Sequence, residues 1–345
     1  MSNPGRPASP TSLDIAHRAQ VSQATVSRAL RNSPLVRPET RERIQRIAEE
    51  LGYRTNRSAA GLRTRRSQAL ALLLFEEAPG DVQINPFFLS MLGHITQAAA
   101  RRGFDLLVSF QQSSVDWHTD YEVSKRADGL ILLGYGDYTT SAERLRLLAG
   151  TGDHFVIWGP VIEELPGHYL GCDNAHGARL ATRHLLSLGR RRLAFAGGAS
   201  DQCPEFKVRY LASLAAMHEA GIEPDPRLQV DAETSPASGH AAGRKLLASG
   251  LPFDGIFAAS DLIAVGVIRA LMEAGLRVPE DVSVVGFDDI LTASYYNPPL
   301  TTIRQDTRQA GELLVENLIK LIDGGAVEST LIPPSLVIRD SCGGR

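Results

Sequence analysis

The sequence predicts an α/β protein with a small helical head: a three-helix segment, then two lobes of doubly wound parallel sheet. Three observations predict it. Residues 1–66 hold short amphipathic helical patterns and a net charge of +8, from thirteen arginines, no lysine and five acidic residues. From Gln68 onward, apolar runs of strand length alternate with amphipathic helical segments, the rhythm of parallel strands covered by crossover helices. The alternation lasts about 275 residues, more than one doubly wound domain comfortably holds, so it divides into two lobes.

The elements follow in order. Residues 1–11, rich in Pro, Ser and Gly, read as a disordered arm. Ser12 is placed to cap a first helix, Leu13 to Ala19, with Leu13, Ile15, Ala16 and Ala19 as its apolar face. The turn Gln20-Val21-Ser22 leads to a second helix, Gln23 to Leu30, capped by Ser22, with Val26, Ala29 and Leu30 inward. The third starts at Pro38, a favourable first helical position, and runs to Leu51, with Ile44, Ile47, Ala48 and Leu51 on one face before Gly52. In the body, strands are expected at Ala69–Phe75, Asp105–Phe110, Leu130–Leu133, Phe155–Trp158, Leu193–Ala196, Gly255–Ala258 and Val282–Phe287. Helices are expected between them, among them Phe88–Arg101, Ala178–Leu188, Val208–Ala220, Gly239–Ala248 and Leu262–Ala274.

Composition excludes several classes. The longest apolar runs fall far short of the ~20 residues that cross a bilayer, and MSNPGRPASPTS has no apolar core for a secretory signal. Cys172, Cys203 and Cys342 form no CxxC pair, so the expected compartment is the reducing cytoplasm. The charge is divided: after residue 66 the chain carries a net −11. A basic head on an acidic body points to a polyanion-binding module joined to a part with another task.

The head has a physical reading as a helix-turn-helix. The first helix, with Val21 and Val26, braces the second so that its N-terminal residues enter a major groove. Ser22, Thr25 and Ser27 are short hydroxyls suited to phosphates; Gln23, Ala24 and Arg28 share a face and suit an adenine edge, a thymine methyl and a guanine edge. The same pattern also fits a generic three-helix bundle with a solvated arginine-rich surface.

Longer stretches carry a resemblance. Asp14-Ile15-Ala16, VSQATVSRAL, RPETRERI and LGYRTNRSAAGL resemble the DNA-binding head of the lactose/galactose-repressor (LacI/GalR) family of bacterial transcription regulators. In the body, NPFF at Asn85–Phe88, CDNAHGARLATRHLLSLGRRR at Cys172–Arg192, FAASDLIAVGVIRAL at Phe257–Leu271, GLRVPEDVSVVGFDDI at Gly275–Ile290 and PPLTTIRQD at Pro298–Asp306 follow in the family's order. The resemblance implies a helix-turn-helix domain at 12–55, a hinge helix and linker at 56–67, and a periplasmic-binding-protein-like effector and dimerisation domain at 68–345. It places the N-lobe at about 68–171 and 299–328, and the C-lobe at about 172–298 and 329–345. In the hinge, Asn56, Ala59 and Leu62 match minor-groove contacts, Leu62 as the wedge that kinks the duplex. Gly61 departs from the bulkier residue usual there and lowers helix propensity by ~1 kcal/mol.

In the body no motif commits to catalysis: there is no GxGxxG after the first strand, no GxxxxGK[ST], no HExxH, no GxSxG and no Cys/His cluster. His176 and His184 read as solvated or capping residues, and no metal or other cofactor is expected. The resemblance implies an effector cleft between the lobes, carried by Asn85, Phe87, Asp173, Asn174, Arg209, Ser260, Asp261 and Asp288. A carboxylate that accepts two hydroxyl bonds beside a planar guanidinium suits a polyhydroxylated ligand. Asp173 and Asp261 equally fit helix caps, and Trp158 and Tyr135 fit either core or a stacking face. Thr234 stands where the family often has an aromatic residue, and Ala212-Ser213 where it has Gly-Tyr.

The expectation is a homodimeric regulator, not an enzyme and not at a membrane. It represses carbohydrate-utilisation genes on a palindromic operator and is released by a small sugar-like effector. The alternatives are a purine- or metabolite-responsive corepressed regulator and, from another class, a two-lobed solute-binding protein, against which the basic head argues.

Overall fold

The computed structural model describes residues 10–30, 32–53, 66–75, 84–111, 126–134, 138–161 and 165–344. The hinge residues Asn56, Ala59, Gly61 and Leu62, and Tyr135, lie outside them. Contacts divide the chain into two units, Met1–Arg66 and Ser67–Arg345.

The first unit holds α1 (Ser12–Ala19), α2 (Gln23–Leu30) and α3 (Pro38–Glu50). The cap of α1 differs from expectation: it is Thr11, not Ser12. Asp14 stands three residues after Thr11 and closes a capping box, its Oδ2 accepting from the Thr11 backbone N at 2.7 Å. The Ser12 hydroxyl instead accepts from Gln23 Nε2 at 2.8 Å, tying the start of α2 to α1. Gln20, at φ 51, turns the chain. Ser22 caps α2, its Oγ accepting from Thr25 N at 3.1 Å. Ile15, Ala16, Ala19, Val26, Ala29, Val36, Ile44 and Ala48 form the core. Leu13, expected inside, is 62% exposed, because at about 100° per residue it falls roughly a third of a turn from the face made by Ile15, Ala16 and Ala19.

The second unit contains two six-stranded sheets. The first has the order β11-β5-β4-β3-β1-β2, from β1 (Ala69–Phe75), β2 (Asp105–Gln111), β3 (Leu130–Leu133), β4 (Phe155–Trp158), β5 (His168–Cys172) and β11 (Thr330–Ile332). The second has the order β12-β10-β9-β8-β6-β7, from β6 (Leu193–Ala196), β7 (Gln229–Val230), β8 (Gly255–Ala258), β9 (Ser283–Asp288), β10 (Thr301–Arg304) and β12 (Ser335–Val337). Among the described residues every strand pairing is parallel except β10 with β12. Such strands are covered on both faces, so β3, β4, β6 and β8 are buried along their whole length and read as unbroken apolar runs.

The helices are α4 (Pro86–Arg101), α5 (Tyr138–Thr151), α6 (Asn174–Ser187), α7 (Pro204–Glu219), α8 (Pro236–Ala248), α9 (Asp261–Glu273) and α10 (Thr307–Ile322). Packing of α8 on α9 needs two glycines: a Cβ on Gly239 would strike the Ile263 carbonyl oxygen, and one on Gly266 that of Pro236. The entrance to β1 is pinned by Asp128, whose carboxylate accepts from Ser67 N at 2.6 Å and Gln68 N at 2.9 Å.

The lobe limits need correction at two places. Residues 299–328 were expected with the N-lobe, yet β10 belongs to the second sheet; residues from 329 were expected with the C-lobe, yet β11 completes the first. The chain therefore passes between the sheets after β5, after β10 and between β11 and β12. Each of these late strands is three or four residues long and finds its sheet through pairing alone, which an apolar pattern does not record. Among the described residues no helix is long and apolar enough to cross a membrane.

Candidate nucleic-acid interface and ligand cleft

On α2 the burial pattern separates two faces. Val26 and Ala29 are buried, Thr25 and Ser27 are half-buried, and Ser22, Gln23, Ala24 and Arg28 are exposed. The exposed set gathers at the N-terminal turn and one helical turn beyond, the part of a reading helix that meets base edges. The Ser22 and Thr25 hydroxyls share a hydrogen bond of 2.8 Å, so one of the two keeps its hydrogen to donate to a phosphate oxygen. Gln23 spends one donor on Ser12, and its side-chain carbonyl accepts no bond among the described residues. Arg28 makes no hydrogen bond or ion pair among the described residues, so its fork is available.

In the second unit the strand ends converge on a cavity of about 170 Å³. Gly134, Trp158 and Cys172 reach it from the C-terminal ends of β3, β4 and β5; Ser260, Asp288 and Gln305 reach it from β8, β9 and β10. That is where open α/β sheets bind ligands. Six of the eight residues expected here line it: Asn85, Phe87, Asn174, Arg209, Ser260 and Asp288.

Asp173 and Asp261 do not. Asp173 caps α6, accepting from His176 N at 2.9 Å. Asp261 is fully buried and accepts from Ile290 N at 2.9 Å and from the Thr302 hydroxyl, fastening β9 and β10 to the start of α9. Ser260 is the cap of α9, accepting from Ile263 N. Asn85 likewise caps α4 through Phe87 N at 3.0 Å while lining the cavity.

Arg209 is the centre of the polar set. It is 4% exposed; its Nε donates to Asn174 Oδ1 at 2.8 Å and its Nη1 to the Ala259 carbonyl. Its Cζ lies 3.5 Å from the Phe287 ring centroid and 5.2 Å from that of Phe206, so the guanidinium is held flat by aromatic faces. Nη2 has no hydrogen-bond partner among the described residues. Asp288 is 8% exposed; one oxygen accepts from Gln305 Nε2 at 2.7 Å, and the other accepts no bond among the described residues. Burial pushes the Asp288 carboxyl up to about 6, against the opposing pull of Arg209 and Gln305. Burial also pushes Asp261 well above the carboxylate range, with the Asp288 charge adding to it, and the Cys172 thiol up to about 12.

Asp288, at φ 117, and Asp289, at φ 56, are consecutive non-glycine residues with positive φ. Strain of this kind persists where the surroundings fix it. Here Asp289 binds Arg304 Nε and Arg339 Nη2, each at 2.6 Å, and the pair aims the two carboxylates to opposite duties.

Sequence reasoning missed Phe88, Glu205, Phe206, Glu233 and Gln305 among the lining residues and left Trp158 open between core and stacking face. Phe88 and Trp158 form the apolar wall with Phe87, whose ring centroid lies 6.0 Å from that of Trp158; Trp158 is both core and wall. Glu205 and Phe206 precede Arg209 by one turn of α7, a spacing that could have found them. Gln305 directly follows β10, the same strand-end signal that marked Asp288. Glu233 and Thr234 lie in a loop without such a signal. Among the described residues no three His, Cys, Asp or Glu side chains gather as metal ligands.

Comparison with known proteins joins the two sites. The pattern of "Bacterial regulatory proteins, lacI family" matches residues 11–56, and that of "Periplasmic binding protein-like domain" matches residues 182–342. The HTH-type transcriptional regulator CelR of Thermobifida fusca is 33% identical over 96% of this chain and 98% of its own length. The HTH-type transcriptional repressor PurR of Pasteurella multocida is 29% identical over the same shares. A solved CelR–cellobiose complex superposes with a TM-score of 0.72 at 31% identity, covering 96% of this chain and 99% of that one. A lac repressor dimer bound to operator and the anti-inducer ONPF gives 0.80 at 28% identity with the same coverage. Full-length likeness at this identity, over a helix-turn-helix head and a two-sheet body alike, shows that the chain belongs to the lacI family of DNA-binding transcriptional regulators.

Proposed function

We propose that the protein is a cytoplasmic homodimeric repressor of carbohydrate-utilisation genes that binds a palindromic operator and leaves it when a small sugar occupies the cleft. One observation carries the sugar assignment. A buried carboxylate and a buried guanidinium, Asp288 and Arg209, each keep one hydrogen-bonding group unspent toward a cavity walled by Phe87, Phe88 and Trp158. A pyranose presents that combination of surfaces, with hydroxyls at its rim and C–H groups on its faces. The cellobiose carried by the CelR complex is consistent with the same chemistry.

In the operator complex, α2 lies in the major groove. Arg28 reads guanine, Gln23 and Ala24 contact adjacent edges, and Ser22, Thr25 and Ser27 hold phosphates. Asn56, Ala59 and Leu62 act in the minor groove at the centre, and a two-fold dimer makes the site palindromic. Release follows from linkage: sugar that binds better to the closed arrangement of lobes draws the population from the arrangement that holds operator.

The PurR relatives give the competing reading, a purine stacked on the same aromatic wall. A thermal-shift panel of sugars and purines on the full-length protein separates them, each hit then being added to the operator complex. A sugar that stabilises the protein and releases operator supports the proposal; a purine that stabilises it and tightens operator binding replaces it.

A further inference from the structure

The cleft has a charge character that goes beyond a general fit to sugars. Among the described residues its lining carries the carboxylates of Glu205, Glu233 and Asp288 against one guanidinium, Arg209, and no other basic side chain. Arg209 has already given Nε to Asn174 and one N–H of Nη1 to a backbone carbonyl, so three of its five N–H groups remain for a ligand, on one cationic group set among three carboxylates.

The helix ends say the same independently. Helix N-termini are the ready-made anion sites of an α/β protein. Four of those beside this cleft are supplied from within: α6 by the Asp173 carboxylate that caps it, α7 by Glu205 in its first turn, α9 by the Ser260 hydroxyl that caps it, and α4 by the Asn85 carboxamide. Glu233, exposed at the rim, meets an arriving ligand with the same sign.

We propose that the cleft selects its sugar by charge: it takes an uncharged polyol and turns away the phosphorylated and oxidised forms of that same sugar. The inference rests on the carbohydrate reading above. It assigns Glu205 and Glu233 to specificity, apart from the gripping pair Asp288 and Arg209.

Calorimetric titration of the full-length protein with matched sets tests it: glucose, glucose 6-phosphate and gluconate; ribose and ribose 5-phosphate; cellobiose and cellobionate. The expected result is that a neutral member binds and its anionic counterparts bind at least tenfold more weakly. The Glu205→Gln, Glu233→Gln double variant should then narrow that gap. An anionic member that binds as tightly as its neutral parent overturns the inference and leaves the carbohydrate reading standing, and so does a gap unchanged in the double variant. If no sugar of any charge binds, the carbohydrate reading fails and this inference fails with it.

Discussion

Asp288→Asn should make the protein more stable and deaf to its effector at once. The side chain is 8% exposed, and burial holds its carboxyl at about 6 although Arg209 and Gln305 both favour the ionised form. An acid raised in the folded state binds its proton there more tightly than in the unfolded chain, so stability falls as pH climbs from about 4 through about 6. The difference of about 2 pH units from the ordinary value corresponds to at most about 3 kcal/mol at pH 7. A neutral carboxamide of the same shape removes that cost, keeps an oxygen for Gln305, and also relieves Asp261, whose own carboxyl the Asp288 charge pushes up. The unusual φ of 117° is no obstacle, since asparagine tolerates positive φ better than most residues. Melting curves between pH 4 and pH 8 read the effect: a rise in Tm of roughly 5 °C at neutral pH, vanishing near pH 4, with effector binding lost. A variant that melts lower than wild type at pH 7 would refute the reasoning, because the Asp288–Arg209 attraction would then outweigh desolvation.

Three further outcomes are expected. Arg28→Ala should weaken operator binding by ~1–3 kcal/mol and random DNA much less; equal loss on both in anisotropy titrations would make Arg28 a phosphate contact only. Gly266→Ala gains up to ~1 kcal/mol of helix propensity but drives a methyl group into the Pro236 carbonyl and the His240 amide, so a net loss of about 1–3 kcal/mol is expected in urea unfolding. Asp289→Asn takes the charge from two arginines, Arg339 at 17% and Arg304 at 51% side-chain exposure. The more buried pair dominates, and a loss of about 2–3 kcal/mol is expected with effector affinity retained and the effector's action on operator weakened; an intact response would show that this clamp does not carry it.

The head was legible because short amphipathic helices, a Pro at the start of α3 and a hydroxyl cap at α2 are local signals, and local signals survive folding. The error at Ser12 was also local: the capping box belongs to Thr11 and Asp14, and a hydroxyl adjacent to the true cap is free for Gln23. In the body, fully buried strands announced themselves as unbroken apolar runs. β5 did not, its apolar run being broken by His168 and Gly171; nor did β7, β10, β11 and β12, since edge and crossover strands of two to four residues owe their existence to a partner far along the chain. For the cleft, the family resemblance located Asn174, Arg209 and Asp288, yet it carried over with them Asp173, which is used on a helix end, and Asp261, which is used on a buried amide. Which way a carboxylate points depends on backbone such as the strained pair at 288 and 289, and that is settled in three dimensions.

Ligand in the cleft is expected to set the hold on operator. Operator is first selected from random duplex DNA with the full-length protein, and its affinity is then measured by fluorescence anisotropy at fixed salt with and without the sugar found by thermal shift. The expected result is a palindromic selected sequence and a tenfold or greater loss of operator affinity at saturating sugar, with binding to random DNA unchanged. Sugar that saturates the cleft while operator affinity stays where it was would contradict it.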